Sequence, residues 1–448
     1  MLTIDKKNIS LTVGVWEKLS TNTPAVWASN NPNVFVDGNG WVLCIKDAIK
    51  QDTPNGQATI TATVDGDTVI CDVTIVPWKS NRKALSMEML PVYYRSMMIE
   101  NDVIYGMSQV DGHLYKTENQ FETVSKISHL SLWTVKAPML ATPFGYFLHT
   151  FDGKVYYSAD KITWRLEISG LKNAVMHSLD WWQEGLKGYV FIAEFSNETN
   201  HRHRIFRGTY EGGIGTWENV LQFNSMDEAT GEYARHFHIV KLDQATGDVY
   251  AMTGDANPEC RILVSKDKGN TWRILGTGSQ DWRPLAIWFT DKYMYWNMDS
   301  PNPQSIWRIA RSNIPNQSPQ NDLKEKVMSL NSGAHWHICP VKHQGEDYFL
   351  MSTSAEGAQR DWLSRVFLLK ELSNGELYIE EIFSSVSNTP DAYDTHAAFH
   401  PFFQDNGGKI YFHTTRAGYP GENSSWKSQI VDVTKLSRKT WRNSVTFK

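Results

Sequence analysis

The chain has 448 residues, which is too long for one ordinary small domain, so more than one domain is expected. Its formal net charge is −5 and no basic run occurs, which argues against nucleic acid or an anionic membrane surface as the main partner. No segment reaches the ~18 consecutive apolar residues of a membrane-spanning helix, and the N-terminal residues lack the apolar stretch of a signal peptide.

Residues 1–78 contain short segments of alternating polarity that predict strands. The segments 58–64 and 68–76 are joined across Asp65-Gly66-Asp67, and an Asp-Gly turn between alternating runs indicates a hairpin. Several short strands in so few residues predict a β-sandwich. Earlier in the same unit, residues 27–42 contain a characteristic spacing of the following residues: Trp27, Ser29, Asn31, Pro32, Val34, Asp37, Gly40 and Val42. This set resembles the bacterial Ig-like family 2 (Big2) domain, which implies an Ig-like adhesive or spacer module without catalysis.

The four cysteines, Cys44, Cys71, Cys260 and Cys339, do not form a C-x-x-C pair, so a thiolate zinc site is not expected. Cys44 and Cys71 are able to pair within the N-terminal unit. We prefer the alternative that these residues are buried thiols on strands.

After a linker at 79–83, a repeating theme runs through residues 84–448. An apolar strand is followed by a turn with glycine or aspartate, and then by a second strand with aromatic residues. Seven copies are found, at 92–107, 139–150, 175–195, 236–255, 284–299, 336–354 and 397–416. A period of about 52 residues with four short strands per unit indicates a β-propeller. We predict an all-β chain with seven blades in this region, and six as the alternative. Either segment 440–448 or segment 83–90 closes the ring, and 315–330 is expected to be a loop or short helix between blades.

A turn motif within these repeats has the spacing S-x-D-x-G-x-T-W and consists of Ser265, Asp267, Gly269, Thr271 and Trp272. Serine and aspartate side chains bond to turn backbone groups, and glycine permits positive φ. A looser copy contains Ser158, Asp160, Thr163 and Trp164, with Ile162 in place of the glycine, and a third keeps only Gly215, Thr216 and Trp217. The motif resembles the Asp-box (BNR) repeat of sialidase-like propellers. In that family the repeat is structural, so it implies fold and not chemistry.

Histidines and arginines recur where the first strand of a repeat begins, and in a propeller these positions converge on the central channel. The candidate residues at the channel mouth are Arg95, His177, Arg235, His236, His238, Arg283, His335, His337 and His396. Asp180 and Asp394 are expected near the same point. Three interpretations stay open. The polar groups bond to each other and to water, they recognise an acidic or neutral sugar, or His236, His238, His335 and His337 bind a metal. We commit to no metal and no cofactor.

The catalytic pattern of the sialidases does not occur in recognisable form, because Tyr94-Arg95-Ser96-Met97 lacks the Ile-Pro that follows the family's first arginine. The combined resemblance therefore implies a non-catalytic binding or adhesion protein. We expect a phage virion component, such as a fibre, decoration or receptor-binding protein, that recognises a cell-surface glycan or a neighbouring virion protein. The alternative is an exo-acting, sialidase-like glycoside hydrolase at a bacterial surface or in the extracellular medium. A homo-oligomer stays open.

Overall fold

A computed structural model describes most of the chain, with gaps. The described residues are 1–12, 16–32, 34–36, 38–44, 56–76, 87–89, 94–108, 111–128, 139–150, 152–172, 179–195, 202–224, 234–299, 304–315, 319–330, 335–343, 345–353, 363–386, 398–415, 427–432 and 445–447. Within these ranges the regular structure consists of β-strands and four short 3₁₀ helices, so the all-β prediction is confirmed. No helix in them is both long and apolar enough to cross a bilayer.

The first seven strands form two sheets near the N-terminus. Their bounds are β1 Asn8–Thr12, β2 Trp16–Lys18, β3 Val26–Ser29, β4 Val34–Val36, β5 Trp41–Cys44, β6 Gly56–Val64 and β7 Asp67–Val76. One sheet has the order β1-β7-β6-β3 and the other β2-β5-β4. The predicted hairpin is present between β6 and β7, where Asp65 and Gly66 both have positive φ (49° and 90°). Both sheets contribute to one core, in which Ile60 and Val42 are fully buried.

Seven further sheets follow one another along residues 87–447, and we call them repeat sheets 1 to 7. Sheet 1 contains β9 Tyr94–Glu100, β10 Val103–Ser108, β11 Leu114–Thr117 and β12 Ser125–Lys126. Sheet 2 contains β13 Leu140–Thr142, β14 Gly145–His149, β15 Val155–Ser158 and β16 Arg165–Ile168. Sheet 3 contains β17 Leu179–Glu184, β18 Lys187–Ala193, β19 Arg202–Glu211 and β20 Ile214–Asn224. Sheet 4 contains β21 His236–Leu242, β22 Val249–Gly254, β23 Arg261–Ser265 and β24 Arg273–Thr277.

The last three repeat sheets complete the series. Sheet 5 contains β25 Pro284–Phe289, β26 Tyr293–Met298, β27 Gln304–Ala310 and β28 Glu325–Leu330. Sheet 6 contains β29 His335–His343, β30 Glu346–Thr353, β31 Leu363–Glu371, β32 Leu377–Val386 and β36 Val445–Phe447. Sheet 7 contains β33 Ala398–Gln404, β34 Lys409–Thr415, β35 Lys427–Asp432 and β8 Met87–Met89. The 3₁₀ helices are Asn257–Glu259, Gln280–Trp282, Arg311–Asn313 and Asn321–Leu323.

The repeat sheets are arranged as in a β-propeller. From sheet 2 to sheet 7 each first strand contacts the first strand of the next sheet, and β33 of sheet 7 contacts β9 of sheet 1. Sheets 1 and 2 are linked by a hydrogen bond from Tyr146 Oη to Glu100 Oε1 (2.6 Å). The succession of sheets therefore returns to its start. Such closure protects the sheet edges that would otherwise remain open.

Apolar cores lie between neighbouring sheets, which explains why central strands such as β22 and β23 are buried on both faces. The core between sheets 4 and 5 is the largest example that the described residues give. In it Trp282 is fully buried and stacks on Trp296, with ring centroids 5.0 Å apart. Similar clusters lie between sheets 1 and 2, 2 and 3, 3 and 4, 5 and 6, and 7 and 1. Each sheet thus needs its neighbours to bury both faces.

One detail of the predicted topology is corrected, and one of the two predicted closing segments is found. The segment 325–330 is neither loop nor helix but strand β28, the fourth strand of sheet 5, because Lys326 pairs with Trp307. The early segment provides the closing strand, since β8 pairs with β35 of the last sheet. The C-terminal strand β36 instead adds a fifth strand to sheet 6 through its pairing with β32. The segment 419–423, expected as a long loop, lies outside the described residues.

Candidate functional site

The turn between β23 and β24 is built by the side chain of Asp267. Its carboxylate accepts hydrogen bonds from Ser265 Oγ (2.8 Å), from the Thr271 amide (2.8 Å) and from Thr271 Oγ1 (2.6 Å). Gly269 has a φ of +90°, and its amide donates to Ser265 Oγ (2.7 Å). Trp272 Nε1 donates to the carbonyl of Gly269 (3.1 Å). The turn residues are thus held by a small network of side-chain bonds, as the spacing predicts.

The second turn, between β15 and β16, has the same construction with one residue fewer. Lys161 has a φ of +67°, and its amide donates to Ser158 Oγ (2.8 Å). Trp164 Nε1 donates to the Lys161 carbonyl (3.0 Å), as Trp272 does to Gly269. The assignment of Ile162 to the glycine position is therefore wrong, since Lys161 takes that role.

A further copy, which the sequence analysis missed, lies between β11 and β12. Thr117 Oγ1 donates to Asn119 Oδ1 (2.9 Å), which also accepts from the Thr123 amide (3.0 Å). Phe121, at the glycine position, has a φ of +71°, and its amide donates to Thr117 Oγ1 (3.0 Å). The spacing T-x-N-x-F-x-T is recognisable only when threonine, asparagine and a buried phenylalanine are accepted as substitutes.

The third predicted copy is an ordinary hairpin. Gly212 and Gly213 both have positive φ (59° and 78°) and connect β19 directly to β20. Trp217 lies within β20, and its Nε1 donates to Tyr210 Oη (3.1 Å). A two-residue glycine turn of this kind needs no side-chain network.

The candidate site lies at one end of sheets 4 and 5, where β21 and β25 begin and β22 and β26 end. We call this end the first-strand edge. The ladder between β21 and β22 contains a bulge, in which His238 is the extra residue between the pairs Phe237–Thr253 and Ile239–Met252. Bulges re-aim side chains next to functional sites. The bulge and the turn after β22 bring together a set of polar residues: Arg235, His236, His238, Asp255, Glu259, Arg283 and Asp299.

Three of these residues form a tight group, which we call the His–Asp cluster: His236, His238 and Asp255. The two Nε2 atoms are 3.1 Å apart, and each is 3.4 Å from Asp255 Oδ1. The two imidazole rings stack with centroids 5.0 Å apart, and Phe195 packs on the other side of His236 at 4.2 Å. Both histidines are buried, and Asp255 is partly exposed.

Arginines and a glutamate surround the cluster. Arg283 Nη2 bonds to Asp255 Oδ1 (2.6 Å) and Asp299 Oδ2 (2.8 Å), so its charge is already matched by two carboxylates. Arg235 Nη1 contacts Asp255 Oδ2 (3.1 Å), but its side chain is 53% exposed. Glu259 accepts from the amides of Arg235 (2.6 Å) and Asp255 (3.0 Å) and thereby fixes the backbone on both sides.

The protonation states follow from this environment. Burial by itself raises the pKa of Asp255, but the hydrogen bond from His236 and the nearby charge of Arg283 outweigh burial and hold this pKa well below its usual range. Burial lowers the pKa of His236, with a further contribution from His238. At neutral pH the site therefore contains an ionised carboxylate beside neutral imidazole.

The other predicted site residues are only partly described. His337 is buried in β29, two sheets away from His238, and the metal-ligand group of the described residues does not include it. Arg95 and His335 lie in strands β9 and β29, but their side chains are outside the described set. His177, His396 and Asp394 lie outside the described residues altogether. Their convergence on one channel mouth stays a prediction.

Asp180 is not at the first-strand edge. Its Oδ2 accepts from the amide of Leu242 (2.9 Å), the last residue of β21, and from Lys241 Nζ (2.9 Å). It therefore lies at the opposite end of β21 from His236 and His238.

Sequence reasoning found the histidines and arginines but missed the acids. Asp255 follows β22 directly, in the segment Gly254-Asp255-Ala256-Asn257-Pro258. In an antiparallel pair, a residue that follows the second strand lies beside the start of the first strand. The acidic residue after β22 was therefore the signal that could have predicted an acid beside His236. Asp299, which follows β26 in the same way, repeats it one sheet later.

No family model matches the sequence, and no curated protein matches it. Among solved structures, an ancestral GH74 enzyme is similar with 15% identity and a TM-score of 0.48, covering 77% of this chain and 48% of that chain. An oligogalacturonate lyase in complex with manganese has 11% identity and a TM-score of 0.46, with coverage of 96% and 100%. The WD40 β-propeller domain of Doa1 has 8% identity and a TM-score of 0.45, with coverage of 80% and 98%. At these scores the propeller architecture rests on the sheet order and not on the likeness.

Proposed function

We propose that the protein is a non-catalytic binding protein, which recognises a cell-surface glycan or a neighbouring virion protein at the first-strand edge. The observation that carries the proposal is that one of two neighbouring arginines is paired with two carboxylates, whereas the other is largely exposed. Arg283 is held between Asp255 and Asp299, whereas Arg235 has one side-chain ion pair within the described ranges, with Asp255, and its side chain is 53% exposed. An exposed arginine on a rigid frame is suited to bonding with carboxylates or hydroxyls of a ligand.

Tyrosine–glutamate pairs bear on the rival hypothesis of a sialidase-like hydrolase. Three such pairs among the described residues join neighbouring repeat sheets: Tyr146–Glu100, Tyr210–Glu167 and Tyr295–Glu371. Burial raises the pKa of each tyrosine, and the neighbouring glutamate adds to the effect. A lowered pKa is one way to activate a nucleophile, whereas the pKa of each of these tyrosines is raised. These pairs resemble fixed links between sheets, since each joins two neighbouring repeat sheets.

We further propose a two-part architecture, with an Ig-like module of the Big2 type at 1–78 and a seven-bladed Asp-box propeller at 84–448. The two N-terminal sheets on one core support the module, and the seven successive repeat sheets support the blade number. The turns at Asp267, Asp160 and Asn119 support the Asp-box relationship, because each joins the third and fourth strands of its sheet. In this arrangement the module attaches the protein and the propeller binds.

The setting that we propose is the surface of a phage particle, and a bacterial surface or secreted protein is the alternative. Genes for capsid and tail proteins beside this gene would support the first setting. For the function itself, the purified protein is applied to a glycan array and to a panel of sialylated and neutral glycosides. Binding without turnover is expected. Turnover that is abolished by Arg235→Ala or Arg283→Ala would replace the binding proposal by the hydrolase.

A further inference from the structure

The His–Asp cluster brings three potential metal-ligand atoms to one point. They are Nε2 of His236, Nε2 of His238 and Oδ1 of Asp255, and their separations are 3.1, 3.4 and 3.4 Å. The sequence analysis had considered a metal between two His-x-His pairs. The structure instead combines one pair with an aspartate from the turn after the neighbouring strand.

The separations match those of ligands around a single ion. A point about 2.1 Å from all three atoms exists above their plane, and 2.0–2.2 Å is roughly the bond length of zinc to imidazole and carboxylate. The resulting ligand–metal–ligand angles are about 95° to 108°, between octahedral and tetrahedral values.

The hydrogen bonds around His238 prepare it as a ligand. Its Nδ1 lies 3.1 Å from the carbonyl of Pro284, and a carbonyl only accepts, so Nδ1 carries the proton. In neutral imidazole the lone pair then lies on Nε2, which faces the other two atoms. In metal-binding histidines, the ring nitrogen that does not bind the metal usually donates its N–H to a carboxylate, a backbone carbonyl or water.

The charge of the surroundings also favours a cation. Asp255 and Asp299 bond to the guanidinium groups of Arg235 and Arg283, whereas the carboxylate of Glu259 accepts from the backbone amides of Arg235 and Asp255 and so adds a negative charge. The bond from Arg283 to Asp255 Oδ1 does not exclude a metal, because a carboxylate oxygen has two lone pairs. Without a metal, the lone pair on His238 Nε2 needs a hydrogen-bond donor, and the facing His236 Nε2 can provide it only when that nitrogen carries a proton.

We propose that His236, His238 and Asp255 bind one divalent first-row transition-metal ion at the first-strand edge. Two imidazoles and one carboxylate suit this class of metal, and three protein ligands leave coordination positions for water or an external oxygen ligand. The inference does not depend on which ligand the propeller recognises. It replaces the two His-x-His pairs that the sequence had suggested by one such pair and Asp255.

The test is calorimetric titration of the metal-stripped full chain with Zn²⁺, followed by metal analysis of the dialysed protein. One ion per chain is expected. His238→Gln and Asp255→Asn should each weaken binding by about 100-fold, on the order of the effect of losing groups that hold a metal. The matched control is His113→Gln, in the connection between β10 and β11, which should bind as the wild type does.

X-ray absorption of the zinc-loaded wild type gives a readout that needs no variant, and two imidazole ligands are expected. Absence of saturable binding, or binding that His238→Gln and Asp255→Asn leave unchanged, would overturn the proposal. A spectrum without imidazole ligands would do the same, even if the variants failed to fold. Failure of the binding function in glycan assays would leave these results unaffected.

Discussion

The side chain of Asp267 holds the turn between β23 and β24, and its removal gives a prediction with a stated size. Asp267→Ala deletes the acceptors of three hydrogen bonds, two of them from Thr271. A bond to a charged group contributes about 1.5–3 kcal/mol. Because the turn is partly exposed and water replaces some of the lost bonds, we expect a total loss of about 2–3 kcal/mol in unfolding free energy. Asp267→Asn keeps one acceptor oxygen and should lose about 1 kcal/mol.

The assay is amide hydrogen exchange at Gly269 and Thr271, together with urea unfolding of the full chain. Exchange is the more direct measure, because a chain with several units need not unfold in one step. Asp291→Ala is the control, since Asp291 is exposed between β25 and β26, and it should stay within about 0.5 kcal/mol of the wild type. Unchanged exchange in Asp267→Ala would refute the view that the carboxylate holds the turn.

Three further predictions concern packing, pH and cysteine reactivity. Gly276→Ala should destabilise by about 1–3 kcal/mol, because a Cβ there would lie 2.3 Å from the ring of the fully buried Trp282; equal stability in urea would contradict it. Burial opposes ionisation of Glu100, but hydrogen bonds from Lys161 and Tyr146 outweigh it and lower its pKa. A lowered pKa stabilises the folded state at pH values above the unfolded pKa of glutamate, so the advantage of wild type over Glu100→Gln should be complete near neutral pH. It should be lost as the pH falls through the lowered pKa of Glu100, and a difference that stays constant from neutral to strongly acidic pH would refute it. Burial raises the pKa of three described thiols, those of Cys71, Cys260 and Cys339, to about 11 or 12. These thiols should therefore react with a thiol reagent only on unfolding, and rapid reaction in the native state would contradict the prediction.

Much of the fold could be predicted because its signals are local. Alternating polarity, the turn at Asp65-Gly66 and the seven strand pairs each depend on residues close in sequence. The hairpin between β6 and β7 confirms this. Strand β28 escaped prediction because its polarity is mixed and its strand character comes from pairing with β27.

The candidate site was harder to predict, because its acids meet the histidines and arginines only when the first two strands of a sheet pair and neighbouring sheets pack together. Asp255 and Asp299 lie in turns whose sequence suggests nothing but a loop. Their proximity to His238 and Arg283 depends on which end of each sheet faces its neighbour. The positive φ of Lys161 and Phe121 could likewise not be predicted from those residues themselves. Left-handed backbone at a residue other than glycine is imposed by surrounding hydrogen bonds and not by its own preference.

The central claim is that the first-strand edge binds a ligand without turning it over. It is tested most directly by equilibrium binding of the best array ligand to the wild type, to Arg235→Ala and to Lys187→Ala. Lys187 is an exposed cation in the hairpin between β17 and β18, at the other end of its sheet. We predict binding by the wild type and by Lys187→Ala, at least about 10-fold weaker binding by Arg235→Ala, and no released product. Unchanged affinity of Arg235→Ala, or hydrolysis of the ligand by the wild type, would contradict the claim.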